Sequence, residues 1–128
     1  MAEKIAFVFP GQGAQYVGMG KDIVQNFDVA KDTFDIASEV LGFDVLKLCL
    51  EGPEEQLKKT EVTQPAILTV SIAVLNVLRE LGMTCQMTAG LSLGEYTALV
   101  CANALDFKDA VGLVYKRGRF MPEAVTEG

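Results

Sequence analysis

The sequence predicts an α/β fold, in which parallel strands are covered by helices, and three observations lead to this class. Residues 5–9 form a continuous apolar run that ends at Pro10-Gly11, which is typical of a buried strand closed by a loop. Residues 84–90 are a second candidate for a buried strand, and the other stretches repeat apolar residues at helical spacing. Because two strands do not make an adequate sheet, the sequence indicates that the layer is completed outside this chain.

The remaining elements follow in order along the chain. Residues 11–20 contain four glycines and are predicted to form a loop. Six predicted helices cover residues 19–27, 29–41, 44–50, 63–81, 92–102 and 106–124. A further helix is predicted to start at residues 52–55, where a proline lies near the first turn. We find no linker or internal repeat in the sequence, so residues 1–128 are interpreted as one unit without a complete second domain.

The apolar content of the chain allows two interpretations. Half of the 128 residues are apolar, which is a high share for a chain of this length. Such a chain either packs a dense core of its own or contributes to a larger core. The shortage of strands favours the second interpretation.

Composition argues against several classes of protein. The chain has 11 basic and 17 acidic residues, and its net charge of −6 disfavours nucleic acid, whose phosphates need a basic surface. The absence of histidine and the wide spacing of three cysteines disfavour a zinc site. The apolar run 66–78 is shorter than the roughly 20 residues of a membrane helix, and no secretory signal is recognised. We predict a cytoplasmic protein without a metal or redox cofactor.

Ser92 is the leading candidate for a reactive side chain. It lies in Gly90-Leu91-Ser92-Leu93-Gly94, which matches the nucleophile-elbow pattern and falls between a predicted strand and a predicted helix. The N-terminus of that helix would offer backbone N–H groups to an oxyanion. Ser92 and Glu95 also fit a capping box, in which both side chains only bond backbone amides. This motif alone leaves both interpretations open.

The glycine-rich loop is a second candidate for a functional segment. Neither a dinucleotide fingerprint nor a P-loop fits, because Tyr16 and Met19 stand where those motifs need glycine and lysine. We favour a loop that approaches Ser92 and offers the N–H group of Gln12 as an oxyanion donor. The alternative is a turn that needs glycine only for its positive φ angles.

Residues 116–119, Lys-Arg-Gly-Arg, form a basic run in an acidic chain. Such a run is usually the solvated face of a helix. An arginine that points inward would instead offer a planar guanidinium to a carboxylate.

Four motifs together resemble the malonyl-CoA:acyl-carrier-protein transacylases of fatty acid synthesis. They are Phe-Val-Phe-Pro-Gly-Gln-Gly at 7–13, Thr-Gln-Pro-Ala at 63–66, Gly-Leu-Ser-Leu-Gly-Glu-Tyr at 90–96 and Arg-Gly-Arg-Phe-Met at 117–121. Each motif is weak alone, but their order and spacing agree from Lys4 to the end of the chain. The resemblance implies part of an α/β-hydrolase-like transacylase core, from which a ferredoxin-like subdomain is missing, and it favours the catalytic interpretation of Ser92.

The resemblance also implies roles for individual residues. Ser92 would carry the acyl group, and the backbone N–H groups of Gln12 and Leu93 would form the oxyanion hole. Arg117 would pair with the free carboxylate of a malonyl group, which would disfavour acetyl because a buried guanidinium would then stay unpaired. Met121 would line the pocket nearby.

The sequence departs from the family pattern at two points. Leu91 stands where the family commonly has histidine, just before the serine and beside the substrate pocket. The family's general base is a histidine in the second half of its longer members, and this chain contains no histidine. We therefore interpret the chain as the N-terminal portion of an enzyme that uses malonyl-CoA and acyl carrier protein, and we predict little or no turnover by this portion alone.

Two alternative functions remain open at this point. One is a polyketide-synthase-type acyltransferase, or a lone homologue, that uses another acyl-CoA. The other is a non-catalytic fragment that associates with a second copy through excess apolar surface.

Overall fold

The computed structural model describes residues 3–124, so residues 1–2 and 125–128 of the predicted unit lie outside the described part. The elements are β1 (Ala6–Phe9), α1 (Lys21–Asn26), α2 (Asp28–Leu41), α3 (Val45–Glu51), α4 (Glu54–Leu57), α5 (Thr60–Glu80), β2 (Met87–Gly90), α6 (Leu93–Cys101) and α7 (Phe107–Ala124). Each predicted strand and helix is present, with its ends shifted by no more than about three residues. The predicted α/β class is confirmed.

The two strands pair in parallel, from Ala6 opposite Met87 to Phe9 opposite Gly90. Successive side chains of a strand point to opposite faces, and Phe9 lies on the face that packs against the helices. Val8 lies on the other face and is 74% exposed. The prediction that the strands are buried is therefore wrong for this chain, because among the described residues nothing covers the second face of the pair.

Helix α5 is the centre of the helical layer and packs against α2, α6 and α7. Its side chains are apolar on most sides, as expected for a helix enclosed by other elements. The largest fully buried apolar side chains around it come from several elements and are Phe34, Val45, Leu57, Leu68, Leu75, Leu93, Val111 and Val114. The core is thus continuous between the helices and the inner face of the strands.

Helix α5 begins at Thr60, three residues before its predicted start, and contains Pro65 within its second turn. Its 21 residues are long and apolar enough to cross a membrane, and it is the one such helix in the described part of the chain. The apolar run 66–78 led to the prediction of a segment shorter than a membrane helix. That prediction was wrong about the length of the helix, because α5 also includes a polar first turn before the run. Most of its apolar window is buried against the rest of the protein, which is the environment of a core helix.

The reactivity of the Cys49 thiol on α3 can be used to test whether this core is closed to solvent. Burial, helped by the Asp44 carboxylate, raises the pKa of its thiol from 9.0 to about 12. Because the thiolate is the reactive species, we expect alkylation of Cys49 by iodoacetamide at pH 8 to be about 1,000-fold slower than that of an unperturbed thiol. Peptide mass spectrometry over time measures this rate, and the denatured chain is the control. Fast labelling in the native chain would show that α3 does not enclose the thiol.

Candidate active site

Ser92 stands at the turn between β2 and α6. Its backbone angles, φ 55° and ψ −112°, lie in a region that residues other than glycine rarely adopt. Such a strained turn lifts the residue away from both the strand and the helix, and Ser92 is exposed. The strand, the turn and the helix therefore have the geometry that the nucleophile-elbow pattern requires.

Glycines make this turn sterically possible. A Cβ atom on Gly90 would lie 1.9 Å from the carbonyl oxygen of Gly94, and one on Gly94 would lie 2.3 Å from that of Phe9. A Cβ atom on Gly11 would lie 2.6 Å from the carbonyl oxygen of Leu91. The backbones of β1, the glycine-rich loop and the elbow thus approach each other more closely than any side chain allows.

The side chain of Ser92 does not cap helix α6. It makes no hydrogen bond to the first amides of the helix, and Glu95, the other member of the possible capping box, is exposed. The Ser92 hydroxyl oxygen instead accepts a hydrogen bond from Nη2 of Arg117 at 3.2 Å. The capping-box interpretation is therefore wrong for this structure.

Arg117 on α7 points inward and is held by three contacts. Its Nη1 donates to Oε1 of Gln64 at 3.0 Å, and its Nη2 donates to Ser92. Its Cζ lies 5.3 Å from the centre of the Tyr96 ring, which is within the range of a cation–π contact. The neighbouring Arg119 is exposed, so the basic run divides between a site residue and a solvated face.

Gln64 has a position in the site that the sequence analysis did not assign. It is fully buried on α5, where its Oε1 accepts from Arg117 and its Nε2 donates to the sulfur of Met121 at 2.9 Å. Because a buried amide must find partners, Gln64 restricts Arg117 to one orientation. The signal in the sequence was a glutamine directly before Pro65, where the long apolar run of α5 begins. Tyr96 was also missed as a contact of Arg117.

The glycine-rich loop lies against the elbow. The backbone nitrogen of Leu93, the first residue of α6, is 3.7 Å from the position of a Cβ atom on Gly11. The side chain of Gln12 donates to the hydroxyl of Thr60 at 3.2 Å, which ties the loop to the start of α5. Among the described residues, the backbone N–H groups of Gln12 and Leu93 have no protein acceptor. Gly13 has φ 113°, so the turn also requires glycine there.

The predicted pocket residues border an open surface. Leu91 is 77% exposed beside Ser92, and Met121 is partly exposed beside Gln64. An open, mostly apolar groove next to Arg117 is lined by Leu113, Lys116, Phe120 and Met121. The described residues therefore form the floor of a site rather than a closed pocket.

Among the residues that the structure describes, no side chain that could act as a general base bonds Ser92. The sequence contains no histidine, and the side chain that contacts the Ser92 hydroxyl is a guanidinium, which offers hydrogen-bond donors but no acceptor. Within residues 3–124, no group of three or more His, Cys, Asp or Glu side chains is placed to hold a metal ion. The arrangement combines a presented hydroxyl, two unused backbone donors and a fixed positive charge.

Comparison with known sequences identifies similar proteins. Residues 6–128 match the model of a family described as the acyl transferase domain. The chain is 55% identical over 125 residues to a malonyl CoA-acyl carrier protein transacylase of Bacillus subtilis, covering 98% of this chain and 39% of the relative. It is 52% identical over 126 residues to the transacylase of the same name from Escherichia coli K12, covering 98% and 41%.

Comparison with solved structures identifies proteins of the same kind. A malonyl CoA-acyl carrier protein transacylase from Clostridium perfringens has a TM-score of 0.94 at 53% identity, over 98% of this chain and 40% of that one. A malonyl-transacylase solved in complex with a type II polyketide synthase acyl-carrier protein has a TM-score of 0.94 at 51% identity, over 98% and 41%. The chain therefore spans about two fifths of the length of the relatives that it matches.

Proposed function

The chain belongs to the acyl transferase domain family, and from this premise we propose that it is part of a malonyl-CoA:acyl-carrier-protein S-malonyltransferase. The observation that carries the proposal is the guanidinium of Arg117, which is held 3.2 Å from the hydroxyl of Ser92. A nucleophile beside a permanent positive charge suits an acyl group that carries its own carboxylate. The complete protein would transfer malonyl from malonyl-CoA to the phosphopantetheine thiol of acyl carrier protein.

The reaction would proceed through an ester on Ser92. The hydroxyl oxygen of Ser92 attacks the thioester carbonyl, and the N–H groups of Gln12 and Leu93 bind the resulting oxyanion. The intermediate collapses, the C–S bond breaks and the CoA thiol leaves. The phosphopantetheine thiol then attacks the ester and releases Ser92. The proton of the serine passes to a base. The family resemblance assigns this base to a histidine in the second half of longer members, and this chain contains no histidine.

Arg117 would select the acyl group. Gln64 and Tyr96 restrict its position, so little conformational freedom is lost when it pairs with a carboxylate. Before acylation its Nη2 bonds Ser92. After acylation the ester no longer offers the hydroxyl, and the carboxylate of the bound malonyl group would take its place. Leu91 and Met121 would border the pocket from the exposed side.

Replacing Arg117 with alanine is expected to lower kcat/KM for malonyl-CoA on the order of 100-fold, because a charge-assisted hydrogen bond is worth roughly 3 kcal/mol. The assay would use a hybrid of this chain and the C-terminal remainder of the Bacillus subtilis relative. Transfer of acetyl should fall much less than transfer of malonyl. Arg119→Ala is the matched control, since Arg119 is exposed on the same helix. An equal loss for both acyl groups would argue against carboxylate pairing.

Acyl mapping tests the proposed function. The hybrid is incubated with malonyl-CoA or methylmalonyl-CoA and digested, and the peptide that contains Ser92 is weighed. A malonyl ester on Ser92 that moves to acyl carrier protein supports the proposal, whereas a preference for methylmalonyl favours the polyketide-synthase-type alternative. No acylation of Ser92 by either substrate would overturn both.

We place the protein in the cytoplasm, without a metal, redox cofactor, membrane or nucleic acid as partner.

The 128-residue chain alone is expected to show little or no turnover, because it has no histidine to activate Ser92. A transfer assay on the purified chain measures this, with the hybrid as the positive control. Transfer by the chain alone at a rate close to that of the hybrid would contradict the requirement for an external base.

Self-association of the chain is a second candidate function. It is favoured by Val8 and Met87, which leave one face of the strand pair exposed. Size-exclusion chromatography tests it, and a monomer that binds little hydrophobic dye would count against it.

A further inference from the structure

Two cysteines flank the Ser92 elbow in the sequence and meet in space. Cys85 lies in the connection between α5 and β2, and Cys101 is the last residue of α6. Both are free thiols, and their Sγ atoms are 4.0 Å apart. We infer that Cys85 and Cys101 form a peroxide-sensitive dithiol, whose disulfide joins the two ends of the segment that presents Ser92.

The positions of the two thiols suit this bond. A disulfide brings its sulfur atoms to about 2.05 Å, so the pair must close by about 2 Å. Cys101 is buried and anchored, because its carbonyl oxygen accepts a hydrogen bond from Nη2 of Arg79 at 2.7 Å. Cys85 is half-buried and lies outside the helices and strands. Most of the required movement therefore falls on Cys85, where no helical hydrogen bond has to break.

The reaction is balanced with hydrogen peroxide as the oxidant. The thiolate of Cys85, the more accessible thiol, attacks one peroxide oxygen, breaks the O–O bond and becomes a sulfenic acid while hydroxide leaves. The thiolate of Cys101 then attacks the sulfenic sulfur, and the S–O bond breaks as the S–S bond forms. The two hydroxides take up the two thiol protons. Two thiols and one peroxide thus give one disulfide and two waters.

The electrostatics of Cys101 favour this order of steps. Burial is the largest cause that raises the pKa of the Cys101 thiol, and the neighbouring Cys85 thiol is the next. The Arg79 guanidinium, 3.9 Å from the Cys101 sulfur, and the Thr88 hydroxyl oppose this rise. Oxidation of Cys85 removes the thiolate that would repel a second thiolate, so Cys101 becomes easier to ionise once Cys85 is oxidised. Cys49 is buried on α3 and takes no part.

The disulfide would restrain the segment that contains the Ser92 turn. The loop that it closes, residues 85–101, contains β2, the Ser92 turn and α6. A crosslink of this length restricts the unfolded chain, so the oxidised protein is expected to melt roughly 5–10 °C above the reduced protein. This consequence does not depend on the proposed transfer activity.

Peptide mapping of the 128-residue chain tests the pair. The chain is treated with one equivalent of hydrogen peroxide, free thiols are alkylated, and glutamyl endopeptidase then cuts after Glu95, the one acidic residue in 81–105. This cut separates Cys85 from Cys101, so we expect two peptides that stay joined until a reductant is added, together with the higher melting temperature. Cys49→Ala should retain the link and the shift, whereas Cys85→Ser should lose both.

Three results would overturn the inference. They are separate alkylation of Cys85 and Cys101 after peroxide treatment, conversion of Cys85 to sulfinic acid with Cys101 still reduced, and a crosslink between two chains through Cys85. Cys85 lies on a segment without regular structure, so the serine variant is expected to fold and to give a valid comparison.

Discussion

Replacing Ser92 with alanine is expected to lower acyl transfer by the hybrid on the order of 10⁴-fold or more, because the variant lacks the atom that forms the acyl bond. The fold should tolerate the change. Ser92 is exposed, and its hydroxyl contacts Arg117 without capping the helix. The measurements are a single-turnover assay with malonyl-CoA and a thermal melt of the same samples. We expect the melting temperature to stay within about 3 °C of the parent protein.

Ser71→Ala is the matched control for this prediction. Ser71 is partly buried on α5 and takes no part in the side-chain hydrogen bonds that join Ser92, Arg117, Gln64 and Met121. Removal of the Ser71 hydroxyl should leave the rate of acyl transfer unchanged. An acyl group that appears on another serine of the Ser92→Ala variant, or retained transfer, would show that Ser92 is not the acyl acceptor.

Replacing Gly90 with alanine is expected to lower the free energy of unfolding by more than about 4 kcal/mol, which approaches the total stability of a small domain. The added Cβ atom would lie 1.9 Å from the carbonyl oxygen of Gly94 and 2.6 Å from the nitrogen of Glu95. Both are backbone atoms, so no side-chain rotation can relieve the clash. Strand β2 and helix α6 would have to separate, and the Ser92 turn would be lost. Denaturant unfolding followed by circular dichroism measures the change.

Gly112→Ala is the control within the same chain. Gly112 lies on α7, and a Cβ atom there would meet nothing within 4 Å. Because alanine is a better helix former than glycine, this change should stabilise the protein by about 0.5–1 kcal/mol. Equal stabilities of the Gly90 and Gly112 variants would show that the elbow is not packed as described.

The strands and helices followed from local pattern, and the errors have physical causes. Apolar spacing located each element because it reports which side of a segment faces a core. It placed the start of α5 at residue 63, whereas the helix begins at Thr60, because the first turn is largely polar and carries little of the apolar pattern. It predicted buried strands because Val8 is apolar, but burial depends on a covering layer that no strand pattern contains.

The elbow was predictable, but most contacts of the site were not. Gly90, Ser92 and Gly94 are close in sequence, and their spacing reflects a steric requirement within one turn. Gln64 and Arg117 are 53 positions apart and lie on different helices. Only the packing of α7 against α5 brings their side chains together. The family resemblance supplied a role for Arg117 but none for its supports, Gln64 and Tyr96.

The sequence by itself determined the order of strands and helices, the turn that presents Ser92 and the absence of a histidine base. These are properties of adjacent residues or of composition, and they hold before any helix packs. Only the tertiary structure decided that Ser92 bonds Arg117 rather than its own helix, and that Cys85 lies beside Cys101. The reason is that a side chain's partner depends on how distant segments pack, whereas a turn depends on the backbone angles of its own residues.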